Sequence, residues 1–253
     1  MMIYNVAGLP EGLSGSNPVV NIPQISPLLN SYDLVLAQED FWYHAELASQ
    51  ASHPYQSEPM WEEPTFENMG DGLNRFSIFP FSEHRRETWE VCYGITDNGA
   101  DCMTTKGFSA ARHELREGVY IDVYNLHMDA SGDEEDQLAR AAQTEQLLIE
   151  IAARSSGNAI IVAGDTNLKN DRPDRPLDKE TLDRLLGQAE LQVACRTVNC
   201  GDERIDRIMY RSSASLTLRP TDWLMPSEFV DSQDEGLSDH EPVLVPFSWT
   251  YRP

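Results

Sequence analysis

AIIVAGDTNL, Ala159 to Leu168, is the stretch on which the reading of this chain turns. Its first five residues, Ala159 to Ala163, are apolar or small, the pattern of a strand buried on both faces. Gly164 breaks the run, and Asp165 and Asn167 follow at its carboxyl end. Two residues apart in extended chain, their side chains point the same way. An acid and an amide at the mouth of a buried strand suit phosphate or metal chemistry. Gly, Asp and Asn also make ordinary turns, so this stretch decides nothing until the others join it.

The others repeat the pattern. Met2–Gly8 (MIYNVAG) reads as a first strand holding Asn5, and an amide is a poor apolar filler. Tyr32–Glu39 (YDLVLAQE) reads as a second buried strand that closes on Glu39, a carboxylate of the kind hard cations take. Gly118–Met128 (GVYIDVYNLHM) ends in Asn125 and His127. Arg204–Arg211 (RIDRIMYR) carries Asp206 and Arg207, and charges inside a strand need a wet face or a partner. Ser215–Leu218 is expected to pair with it. Leu237–Phe247 (LSDHEPVLVPF) sets Asp239 and His240 just before a closing strand. Adjacent residues in extended chain point to opposite faces, so direct pairing of these two requires a turn. Each residue alone has a bland reading as a structural or solvated side chain. Asn5, Glu39, His127, Asp165, Asn167, Asp206, Asp239 and His240 together mark strand ends, where sheet folds build sites.

Between these strands lie helices. Asp133–Arg154 has acids in its first turn, Arg154 near its end, and an apolar face expected along Leu138, Ala141, Ala142, Glu145, Leu148, Ile149 and Ala152. Ile22, Ile25, Leu28 and Leu29 have helical spacing, with Asn21 as N-cap and Pro23 in the first turn. A shorter helix is expected over Asp178–Gln188, and strands over Asn74–Phe81 and Thr88–Tyr93. Glu58–Asn74 is an acidic loop. The aromatics Phe41, Trp42, Tyr43, Tyr55 and Trp61 are read as core rather than as the rim of a substrate pocket. Alternating strands and helices without a long linker predict one α/β domain over 1–253.

The 253 residues carry 42 acids against 19 bases, a net charge of −23, and only three lysines, Lys106, Lys169 and Lys179. Such a surface disfavours tight nonspecific binding to nucleic acid. It suits a saline medium, where screening relieves self-repulsion. The four cysteines fall as two close pairs, Cys92 with Cys102 and Cys195 with Cys200; disulfides and hence export are favoured over a metal site, because no CxxC spacing appears. No apolar run approaches the roughly 18 residues of a membrane span. No signal peptide precedes the first strand, so a leader was either removed or never there. The protein is expected to be secreted and monomeric.

The chemistry these residues support is phosphoester hydrolysis. Glu39 would hold Mg²⁺ or Mn²⁺, Ca²⁺ being compatible, to neutralise phosphate charge. One histidine would act as general base on water, the other on the phosphate, and Asn167 would donate to phosphoryl oxygens. Arg112, in KGFSAARHE, is a candidate phosphate contact. YNVAG, AQED, NLHMD, AGDTN, IDRI and LSDH, in that order, resemble the endonuclease/exonuclease/phosphatase family, of which deoxyribonuclease I and neutral sphingomyelinases are members. The resemblance spans nearly the whole chain, and GDTN and SDH are its specific parts. It implies a four-layer fold, two packed mixed sheets with helices outside. It also implies roles: His240 as base oriented by Asp239, Asp165 positioning water, Asn5 and Glu39 on the metal, Asp206 in the catalytic network and His127 on the phosphate. The substrate stays open between nucleic acid and a phospholipid or small phosphodiester; a non-catalytic binding protein on the same fold is the further alternative.

Overall fold

A computed structural model describes residues 1–94 and 101–253. In chain order the elements begin β1 (Met2–Asn5), α1 (Pro18–Leu28), β2 (Leu34–Gln38), α2 (His44–Ala48), β3 (Tyr55–Gln56), β4 (Asn74–Ser77) and β5 (Phe81–Thr88). Next come β6 (Gly107–Arg116), β7 (Val119–His127), α3 (Glu134–Arg154), β8 (Ile160–Asp165), α4 (Pro176–Gln188), β9 (Gln192–Val193) and α5 (Ala194–Val198). The chain closes with β10 (Asp206–Arg211), β11 (Leu216–Pro220), β12 (Val243–Leu244) and β13 (Phe247–Tyr251).

Two mixed sheets result. One runs β12-β1-β2-β4-β3 with β1 and β2 parallel; the other runs β5-β6-β7-β8-β10-β9 with β7 and β8 parallel. Strand alternation divides the core into three layers of apolar contact. Ile3, Leu34 and Leu36 meet Val123, Ile161, Ala163 and Ile208 between the sheets. Tyr4, Val35 and Ala37 on the opposite face pack on Ile22 and Ile25 of α1. Ile160 and Val162 pack outward on Leu147 and Ile151 of α3 and Leu182 of α4. This is the expected four-layer α/β architecture.

Several local readings change. Helix α1 starts a turn earlier than expected, with Pro18 rather than Pro23 in the first turn. Helix α3 has the expected extent, yet its buried face is Ala139, Arg140, Gln143, Thr144, Leu147, Leu148 and Ile151. Leu138 and Ile149 are exposed. The buried Arg140 pairs with Asp178 of α4, so polar residues occupy a face that hydrophobicity alone would turn outward. No strand runs from Thr88 to Tyr93, and the Asn74–Phe81 strand is instead two, β4 and β5. β11 pairs with β13, not with β10. Of the aromatics, Phe41 is core, whereas Tyr55 and Trp61 are exposed. Both expected disulfides are present.

Candidate active site

Register brings the acids together. His127 on β7 lies beside Asp165 on β8, and Asp165 lies beside Asp206 on β10. Neighbouring strands are about 4.8 Å apart, so three site residues share one level of one sheet edge. Gly164 allows this close fit: at φ +134°, an added Cβ would sit 2.1 Å from the Leu126 carbonyl oxygen.

The facing sheet supplies Asn5 and Glu39 from the ends of β1 and β2. Its alignment is held by a buried amide bridge in which Gln38 Nε2 donates to Asn125 Oδ1 (2.6 Å) and Asn125 Nδ2 to the Ala37 carbonyl (2.8 Å). Glu39 adopts a left-handed φ of 55°, a conformation unusual for a residue with a side chain and often stored at functional sites. Asn5 Nδ2 then bridges the sheets, donating to Glu39 Oε1 at 2.9 Å and Asp165 Oδ2 at 3.2 Å. Ser238 Oγ donates to the Asn5 carbonyl at 2.7 Å, which anchors the segment carrying His240.

His240 Nδ1 lies 2.9 Å from Asp206 Oδ2, and its Nε2 lies 3.8 Å from Asp165 Oδ2. The orienting acid is therefore Asp206. Asp239 is exposed and its carboxylate makes one long contact, 3.4 Å from Ser238 Oγ, so the expected Asp239–His240 pairing does not form. A carboxylate on Nδ1 fixes the proton there and leaves Nε2 to accept one.

The electrostatics are those of crowded acids. Burial, and then Asp206, push Asp165 up to about 6. Burial also raises Glu39. For His240 burial favours the neutral ring, but the hydrogen bond and charge of Asp206, with Asp165 and Asp239, outweigh it and carry the pKa up to about 10. Burial, Lys106 and His240 hold His127 well below its ordinary value. Its Nε2 lies 3.6 Å from Asp165 Oδ2 and 3.8 Å from Glu39 Oε1. Two clustered carboxylates, Glu39 and Asp165, offer hard oxygen donors that fit Mg²⁺ or a similar divalent ion, while the Asn5 amide turns its nitrogen to them and its oxygen to the Ala7 amide at 3.1 Å. Asp165, Asp206 and His240 form a second compact group of ligating atoms.

The remaining expected residues divide. Asn167 is at the site edge with φ 50°, its Nδ2 donating to the Met128 carbonyl at 3.1 Å. Arg112 is elsewhere. Its guanidinium holds Asp122 at 2.8 and 3.1 Å, and Asp122 is five residues before His127 on β7, roughly 16 Å away at ~3.3 Å per residue. It is committed to a carboxylate far from the site and does not reach a phosphate bound there.

Lys106 was missed. It is buried, paired with Asp101, and lies with Glu39 in a pocket of about 340 Å³ walled by Leu9, Leu13, Phe41 and Met103. A lone lysine in a glycine-flanked stretch gives little sign of burial; the scarcity of lysine was the available hint. On the other side, Lys169 and Arg204 line a second hollow of about 350 Å³ with Asp206, Asp239 and His240.

The Endonuclease/Exonuclease/phosphatase family model matches residues 2–240. A protein of Mycobacterium tuberculosis named sphingomyelinase is 33% identical over 98% of this chain and 52% of its own length. The chain thus spans about half the length of that relative. Among solved structures, Staphylococcus aureus beta toxin has a TM-score of 0.69 at 16% identity, covering 97% of this chain and 98% of the toxin. A variant of that toxin carries bound magnesium ions. D. rerio TDP2, complexed with a single-strand DNA product, has a TM-score of 0.69 at 14% identity, covering 98% and 97%. At such identities these likenesses speak for the fold alone. Family model and relative together place this chain in the endonuclease/exonuclease/phosphatase family.

Proposed function

We propose that this chain is a divalent-metal-dependent phosphodiesterase acting on a phospholipid headgroup of the sphingomyelin type. The observation that carries the chemistry is the Asp206–His240 pair set against the Asn5–Glu39–Asp165 cluster. His240 Nε2 takes a proton from the attacking water, and Asp206 keeps the ring turned for it. Asp165, beside that nitrogen, accepts the water's second hydrogen and so aims it. His127 and Asn167 hold phosphoryl oxygens, and buried Lys106 adds positive charge to the same end of the groove. Glu39 and Asn5 are the residues that would hold the ion. When bound, the ion neutralises phosphate charge, stabilises the leaving oxygen and offsets the acids that raise the His240 pKa.

The lipid assignment rests on the sphingomyelinase relative and on the apolar pocket that begins at Glu39 and runs past Leu9, Leu13, Phe41 and Met103. A net charge of −23 also disfavours a long polyanion. One observation favours a second reading, hydrolysis of single-stranded nucleic acid: Lys169 and Arg204 flank His240 in a lysine-poor chain. Two disulfides fit a secreted protein, and we take it to act as a monomer.

Mg²⁺-dependent turnover of sphingomyelin vesicles, single-stranded DNA and bis-p-nitrophenyl phosphate, with and without EDTA, tests this. Chelator-sensitive release of phosphocholine without DNA cleavage is the expected result. DNA cleavage without lipid turnover would replace the first reading by the second.

A further inference from the structure

The left-handed conformation of Glu39, φ 55°, persists only where its surroundings over-determine it. Two glycines hold the turn from either side. The Gly8 amide donates to the Glu39 carbonyl at 2.9 Å, and the Asp40 amide donates to the Gly72 carbonyl at 3.1 Å. Gly72, at φ +63°, lies so close that an added Cβ would sit 3.0 Å from Glu39 Cα.

The side chain of Asp40 is buried. Its Oδ2 accepts from Asn74 Nδ2 at 2.7 Å and faces His44 Nδ1 at 2.6 Å. Asn74 Oδ1 in turn accepts from Arg86 Nη2 at 2.6 Å, with Ser57 Oγ as a second donor at 3.2 Å. Arg86 thus stands one amide behind Asp40.

Arg86 comes from β5 of the six-stranded sheet, whereas Asn74 opens β4 of the five-stranded one. Nη1 donates to Asp71 Oδ1 at 2.5 Å and to the Leu73 carbonyl at 2.8 Å, and Nη2 donates also to the Glu58 carbonyl at 2.5 Å. The fork therefore grips both chain neighbours of Gly72 as well as the amide that holds Asp40. A planar guanidinium serves these acceptors in fixed directions, which a lysine head cannot.

The arrangement is a costly way to fill space. Burial raises the Asp71 pKa even with Arg86 beside it. Asp40 Oδ1 and Asp71 Oδ2 have no hydrogen-bond partner among the described residues. Apolar side chains of similar volume would avoid that penalty. What the ionic network supplies instead is direction, as groups behind a metal ligand do.

We propose that Arg86 is a positioning residue for Glu39: by fixing residues 71–74 and, through Asn74, Asp40, it holds the Glu39 carboxylate ready for the metal ion. This rests on the reading of Glu39 as a residue that would hold the ion.

Binding of Mn²⁺ alone to the full chain, followed by electron paramagnetic resonance of the free ion, tests this without turnover. Molar KCl screens the acidic surface during the titration. Glu39→Gln should lose the tight Mn²⁺ and so marks the site. Arg86→Gln should weaken that binding by about 10–100-fold. In turnover of bis-p-nitrophenyl phosphate it should raise the half-saturating Mg²⁺ by a similar factor, with kcat recovered at saturating metal. Arg211→Gln is the structural comparison, because Arg211 ties the Ser155 and Ala189 carbonyls at the end of β10 away from Asp206. It should lower the melting temperature and leave Mn²⁺ affinity unchanged. Parental Mn²⁺ affinity in a folded Arg86→Gln, an equal loss in Arg211→Gln, or a fall in kcat at unchanged half-saturating Mg²⁺ would each overturn the proposal. Should Arg86→Gln not fold, Asn74→Ser breaks the same relay and carries the same expectation and the same contrary result. Unchanged Mn²⁺ binding by Glu39→Gln would overturn the metal reading, and the proposal with it.

Discussion

His240 is oriented by a residue 34 positions away, not by its chain neighbour. Replacing Asp206 by Asn should therefore lower kcat by about 10²-fold or more, the order expected for a general base that loses its alignment. Asp239→Asn should leave turnover within a small factor, because that carboxylate is exposed and does not reach the imidazole. Steady-state rates at matched metal concentration separate the two, and a larger loss for Asp239→Asn would contradict the assignment. The sequence shows why the neighbour is the tempting partner: Asp239 and His240 are adjacent, and adjacency is legible. The Asp206 contact depends on the β8–β10 register, which no local pattern encodes. Lys106 was hidden for a related reason, since its burial depends on pairing with Asp101. The guanidinium of Arg112 is legible as a phosphate donor, whereas its pairing with Asp122 on the next strand is not.

At the scale of elements, β8 was the most readable because both its faces are buried and its sequence is accordingly continuous and apolar. The strand ends at β1, β2 and β7 carry Asn5, Glu39 and His127, half of the six converging residues, and β7 is legible from its alternation rather than from a continuous apolar run. Helix α3 was legible in length but not in rotation, because Arg140 and Gln143 are buried by specific polar partners. The β11–β13 pairing was not legible, since a long connection lies between the two strands. Gly164 is where the close approach of β7 and β8 has its sharpest consequence. Gly164→Ala places a methyl against the Leu126 carbonyl at a φ that L-residues avoid. We expect it to lower unfolding free energy by about 2–4 kcal/mol, measured by urea denaturation. A change within experimental error would show that the two strands can separate without penalty.

At the scale of the whole molecule, a net charge of −23 sets acidic self-repulsion against three apolar layers and a buried amide bridge. Added salt should screen that repulsion, so the melting temperature should rise between dilute buffer and molar KCl. A steady fall would contradict adaptation to a saline medium. The fold brings Asn5, Glu39, His127, Asp165, Asp206 and His240 from across the chain to one end of the two sheets. The claim that rests on that convergence is hydrolysis by water activated at His240. The most direct measurement compares Mg²⁺-supported hydrolysis of sphingomyelin and bis-p-nitrophenyl phosphate by the parent chain and by His240→Ala, with thermal melting of both. We expect EDTA-sensitive turnover by the parent and a loss of about 10²–10⁴-fold in a variant that still melts cooperatively. Undiminished turnover by a folded His240→Ala would contradict it.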